Sequence, residues 1–244
     1  VPRVKLARLL TTDGPVSGRY EDGVVHAEDG PYEVGVDGRL LPPTEPTAVY
    51  CIGRNYAATI DQMGYDRPEE PNFFIKPPTA LLPHDRPIRY PGFTDELTYA
   101  GELAAVIDDR CRNLAPAEVP EVVRGYTVMN DLDALDQPAL TARKAFDGAA
   151  PLGPLIETDV DPTAIDMYTD VAGERRQEAN TGSMLFDVYE LVSFLSDRFT
   201  LRPGDVVAFG SPANPGLIEP GDEVAITYEG IGTLRNPVVA GEQA

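Results

Sequence analysis

The 244-residue chain is 42% hydrophobic and sets 20 basic against 40 acidic residues, a net charge of −20. With an isoelectric point near 4.3, such a surface repels phosphate backbones and anionic membranes, so nucleic-acid and membrane partners are not expected. No apolar stretch reaches membrane-spanning length or reads as a signal peptide. Cys51 and Cys111 stand in unrelated contexts, which is neither a disulfide framework nor a zinc spacing. Both are expected as buried small hydrophobes in a reducing cytoplasm.

In chain order, residues 1–47 read as a small N-terminal β domain, with turn signals recurring between short extended pieces. The Pro-rich joint "LPPTEPT" leads into "AVYCIG", a compact apolar strand that opens the main domain, 48–244. Strands are predicted at 102–107, 125–131, 166–171, 205–210 and 222–228, the last two each preceded by "PGD". A weaker helix is predicted over 116–124. A clear one follows Phe186, where Val188, Leu191, Val192 and Leu195 share one face and Asp187 with Glu190 forms a capping box. The pattern is that of a strand-rich α+β protein.

Eight segments bear on function. They are "CIGRNYAATIDQMG" (51–64), "PNFFIKPPTAL" (71–81), "YAGELAAVI" (99–107), "GYTVMNDLDALD" (125–136), "ARKAFDGAAPLGP" (142–154), "NTGSMLF" (180–186), "LRPGDVVAFGSPA" (201–213) and "EGIGTLRNPV" (229–238). In order and approximate spacing they resemble the fumarylacetoacetate hydrolase family, over nearly everything after the joint. The resemblance implies a mixed β-sandwich roll, a homodimer, and divalent-cation chemistry on small 2-oxo acids or 1,3-dicarbonyl compounds. C–C cleavage, decarboxylation and keto–enol shifts all occur there.

The resemblance also assigns residues. An E-x-E pair and a following aspartate hold Mg²⁺ or Mn²⁺ in the family, and the matching positions here are Ala100, Glu102 and Asp131. Two carboxylates remain of three, so the expected cofactor is none or a weakly bound Mg²⁺ or Mn²⁺, with Asp133 a conceivable extra donor. The family's water-activating His and Glu fall at Thr59 and Gln62, neither a useful base, which leaves them as polar groups for substrate. Asp61, one residue away, is turned aside by about 100° on a helix. His26 and His84 are expected to be exposed. Leu135 replaces a family arginine and the family glutamine is either Gln137 or lost, which with Ala100 implies a roomier, more apolar pocket.

Lys144 matches the family's active-site lysine, which stabilises an enolate or oxyanion. Composition supports it: there are three lysines against seventeen arginines, so charge alone is supplied here by Arg. Lys76, between "FFI" and "PP", reads as architectural. Thr181, Ser211 and Gly210 match substrate-holding positions, although turn chemistry would also place Ser and Thr there. Arg54 could clamp a carboxylate. With Lys144, Glu102 and Asp131 as catalytic candidates, three readings stay open. One is a non-hydrolytic enzyme acting on an enolisable carbonyl, in a setting suggestive of secondary metabolism. The others are a metal-dependent C–C hydrolase or decarboxylase of acylpyruvate type, and a non-catalytic binding homologue.

Overall fold

The structure is a computed structural model that describes residues 4–241. The N-terminal segment forms β1 (Lys5–Thr11), β2 (Gly14–Glu21), β3 (Val24–Ala27), β4 (Gly30–Glu33) and β5 (Gly38–Leu40). The ends of the two predicted domains, 1–3 and 242–244, lie outside the described residues. After the Pro-rich joint come β6 (Val49–Gly53), α1 (Ala57–Met63), β7 (Asn72–Lys76), β8 (Leu81–Leu82), β9 (Ile88–Arg89) and β10 (Leu97–Tyr99). The middle of the chain supplies β11 (Gly101–Ile107), β12 (Val123–Asn130), β13 (Asp133–Ala134), α2 (Leu140–Lys144) and β14 (Ala150–Glu157). The remainder gives β15 (Asp166–Val171), β16 (Glu174–Asn180), α3 (Val188–Arg198), β17 (Val206–Ala208), β18 (Gly216–Leu217), β19 (Glu223–Tyr228) and β20 (Gly232–Val239).

Twelve strands form one large sheet, whose main path runs β4-β3-β2-β1-β14-β12-β11-β17-β6-β7. A five-stranded sheet, β16-β15-β19-β20-β9, packs on one of its faces, and a short three-stranded sheet, β13-β10-β18, lies by the site. Pairing is mostly antiparallel, with parallel pairs at β6·β17, β8·β14 and β9·β20, so the sheets are mixed. The N-terminal strands join this framework directly: β1 pairs with β14, with Leu6 opposite Ile156. They also keep a small cluster of their own around Ala7, Leu9, Val25 and Leu155.

Strand alternation sorts the core onto two faces. Leu103, Ala105, Ile107 and Val128 face the five-stranded sheet and the apolar stripe of α3, which is capped as predicted by Asp187 and Glu190. Cys51, Ala104, Met129 and Ala208 face the other way, in a cluster of small side chains. Gly101 shows why a glycine sits between Ala100 and Glu102. A Cβ there would lie 2.6 Å from Thr169 Oγ1 and 2.9 Å from Ile226 Cγ2 of the smaller sheet. The weaker helix predicted over 116–124 is instead a 3₁₀ turn, Pro116–Glu121, running into β12. Pro120 lies inside it and has no N–H with which to extend an α-helix.

Candidate active site

The site is a cavity of about 470 Å³ where the ends of β11 and β12 meet α1, α2 and the 211–217 loop. Four polar side chains form its floor and all are buried: Glu102, Asp131, Asp133 and Lys144. Ala100 also lines it, because Ala100 and Glu102 project from the same face of one extended segment.

Asp131 sits between two ammonium groups. Lys144 Nζ donates to its Oδ2 at 2.5 Å, and Lys76 Nζ lies 2.8 Å from its Oδ1. Lys76 is fully buried and also donates to the backbone carbonyls of Leu132, at 2.9 Å, and Ala149, at 2.7 Å. It thus ties β7 to the chain around Asp131 as well as charging the floor. Burial alone would raise the Asp131 pKa, but Lys144 and then Lys76 hold it below the ordinary carboxylate value. Burial likewise works against the Lys144 charge, yet Asp131 and Asp133 keep its pKa raised. Lys76, more deeply placed, is lowered by burial.

Asp133 is clamped by Arg143, whose Nε and Nη2 donate to its two oxygens at 2.8 and 2.6 Å. Lys144 Nζ lies 3.2 Å from the same carboxylate. The short helix α2 therefore delivers two cations to two adjacent acids. Glu102 is different. The hydrogen bond to its carboxylate comes from the Gly210 amide, to Oε2 at 3.1 Å. Burial, and then the nearby Asp131 charge, raise its pKa well above the usual carboxylate range. The floor thus holds one carboxyl driven toward the neutral form beside two carboxylates locked into ion pairs.

The other predicted site residues are placed as follows. Ser211 lines the cavity, its hydroxyl held by Gln177 Nε2 at 3.0 Å. Gly210 does not line it. Its φ of +90°, and the Asn55 Cβ and Ile52 carbonyl that would stand within 3.1 Å of any added Cβ, require a glycine for packing, while its amide serves Glu102. Thr181 also lies away from the cavity, because its hydroxyl accepts from the Ile165 amide at 2.8 Å and it is buried in a turn. Arg54, in a left-handed conformation, reaches the cavity mouth and stacks 4.0 Å from the Tyr65 ring centroid.

Thr59 lines the cavity, but its hydroxyl donates to the Ser211 carbonyl at 3.0 Å. Gln62 stays outside, exchanging two hydrogen bonds with Asn214, Nε2 to Oδ1 at 2.9 Å and backbone amide to Oε1 at 2.8 Å. Together they stitch α1 to the 211–217 loop. Asp61 is exposed outside the cavity, as is His26; His84 is half-buried rather than exposed, accepting from the Arg235 amide at 3.1 Å. Both cysteines are buried and free. The sequence reading missed Arg143, although it adjoins Lys144 in "ARKAFD", and it missed Tyr65 and Phe74, which complete the walls.

A buried acid–lysine cluster at the strand ends of a mixed β-roll, beneath a short lid helix, defines a candidate enzyme of enolisable carbonyl compounds. The chain belongs to the fumarylacetoacetate hydrolase family: residues 48–239 match the family described as fumarylacetoacetate (FAA) hydrolase, C-terminal. It is similar to the structure of 5-carboxymethyl-2-hydroxymuconate delta-isomerase from Mycobacterium smegmatis, with a TM-score of 0.89 and 38% identity, covering 98% of this chain and 100% of that one. It is 36% identical over 212 residues to the 4-hydroxyphenylacetate degradation bifunctional isomerase/decarboxylase of Salmonella dublin, covering 83% of this chain and 49% of that protein. It also resembles a fumarylpyruvate hydrolase from Pseudomonas aeruginosa in complex with Mn²⁺ and pyruvate, with a TM-score of 0.77 and 32% identity, covering 91% of this chain and 98% of that one.

The residues present do not fit a cation site of the three-carboxylate kind. Ala100 offers a methyl group, both oxygens of Asp131 face ammonium groups, and Asp133 is spanned by Arg143. Among the described residues no three His, Cys, Asp or Glu side chains converge as a ligand set. Among the described residues no helix is long and apolar enough to cross a membrane.

Proposed function

We propose that the protein catalyses a non-hydrolytic proton shift, a tautomerisation or a decarboxylation proceeding through an enol, on a small-molecule 2-oxo acid or 1,3-dicarbonyl substrate. The observation that carries this reading is the divided floor: a carboxyl raised toward neutrality at Glu102 beside a cationic Lys144 held by Asp131. Lys144 faces the cavity with an ammonium that can donate to a substrate carbonyl oxygen and steady negative charge there. In ketonisation the enol O–H first gives up its proton to solvent, leaving an enolate oxygen that Lys144 steadies; Glu102 then gives its proton to the enol carbon and regains one from solvent, so both side chains finish as they began. A raised carboxyl pKa suits that exchange near neutral pH.

Hydrolysis fits the site less well. Water activation would need a base over the substrate, and the two candidate lid positions are occupied by a threonine and a glutamine already committed to Ser211 and Asn214. A homodimer is proposed on family grounds alone. The test is to dilute an enol-rich 1,3-dicarbonyl from aprotic solvent into buffer with protein and follow the ultraviolet band of the enol. The expected result is faster relaxation with the carbon skeleton intact by NMR. Cleavage into an acid and a ketone would overturn the reading in favour of hydrolysis.

A further inference from the structure

Of the eight large apolar side chains exposed among the described residues, five, Met63, Tyr65, Leu135, Leu140 and Leu217, line this one cavity, each between 39 and 57% exposed, while Val36, Ile75 and Phe93 do not. They come from α1 and the residues just after it, from β13's exit and α2, and from β18, so three stretches of chain converge on one collar. Glu102 and Asp131, which line the same cavity, are only 2 and 4% exposed.

The cations are just as unevenly placed. Lys144 and Arg143 are paired with Asp131 and Asp133, and Lys144 keeps a donor for a substrate oxygen. The neutral groups Ser211, Thr98 and Asn72 line the same cavity. Arg54 is spread over Tyr65 at the mouth.

We infer that the substrate carries, besides its enolisable dicarbonyl head, an apolar acyl or alkyl tail, the head on the charged floor and the tail against the collar. This rests on the enolisation reading for the head and adds the tail. Collar and floor line one and the same cavity, and that continuity is what assigns the collar to a ligand's tail.

Titration calorimetry with unbranched β-diketones of increasing chain length, from pentane-2,4-dione through the heptane and nonane homologues, tests it on the intact chain. Affinity is expected to rise about two- to fourfold per methylene until the collar is spanned. The gain should be lost in the double variant Leu135→Gln, Leu140→Gln, whose altered side chains are already exposed, with folding checked by circular dichroism. An affinity that stays flat with chain length overturns the inference, as does tighter binding when the tail ends in a carboxylate. A flat series in which the double variant also converts a dimer to a monomer in sedimentation overturns it too, assigning the collar to a second copy of the chain. Enol relaxation of the shortest homologue is read in parallel. Acceleration with a flat binding series refutes the tail but keeps the head chemistry, and a rising series without acceleration refutes the head chemistry but keeps the tail.

Discussion

Replacing Glu102 with Gln isolates the raised carboxyl, because the amide is nearly isosteric with the neutral acid and keeps an oxygen for the Gly210 amide. In the unfolded chain Glu102 ionises near the ordinary value of 4.5, whereas burial and Asp131 keep it protonated well above that in the folded protein. The folded state therefore holds a proton that the unfolded state releases, so this group's contribution to stability falls as pH rises from the unfolded value toward the folded one. The slope is about 1.4 kcal/mol per pH unit while the group is neutral folded and ionised unfolded. Every other titrating group is shared by wild type and variant and cancels to first order. Urea unfolding at about pH 5 and about pH 6 should thus show Glu102→Gln gaining on wild type by about 1 to 1.4 kcal/mol over the interval. Parallel stability curves would mean the carboxylate is ionised in the folded protein, and the assignment of Glu102 as a proton donor would be refuted.

Asp131→Asn should behave with the opposite sign. Its folded pKa is lowered, so the stability it contributes is present above 3.8 and lost as pH falls through the folded value, and losing it near neutrality should cost about 3–5 kcal/mol because two buried ammonium groups lose their partner. Ala100→Glu should create measurable Mn²⁺ affinity in a chelator-stripped protein by calorimetry, against none for wild type at millimolar metal. Equal affinities would mean that the 100 position does not face Glu102 and Asp131. Gly101→Ala should lower stability by about 1–3 kcal/mol through overpacking against Thr169 and Ile226, read as a lower midpoint in a thermal melt. Gln62→Ala should raise amide exchange at Asn214, whose N–H loses its acceptor; unchanged exchange would show that α1 is held by other contacts.

Local signals carried the fold where the chain's own chemistry decided it. The α3 helix follows from its stripe and capping box, and β11, β15 and β19 from alternating or continuous apolar runs bounded by turns. The pairing of β1 with β14 was not legible, because the register of strands some 150 residues apart leaves no mark in either segment. Lys144 could be read from a motif, but Arg143 beside it could not. What commits Arg143 is Asp133, ten residues earlier, reached only when α2 folds over β13. Thr181 shows the converse: a hydroxyl in a familiar motif is consumed by a backbone amide. The apolar collar was foreshadowed at Ala100 and Leu135 alone, since its other members become neighbours only in three dimensions.

The claim that Lys144 and Glu102 perform the chemistry without a cation is tested most directly by enol relaxation of a 1,3-dicarbonyl, measured in excess EDTA for wild type and Lys144→Met. Acceleration that survives EDTA in wild type and falls by about 10²–10³ in the variant is the expected result. Acceleration that EDTA abolishes and Mn²⁺ restores, or that Lys144→Met leaves intact, would contradict it.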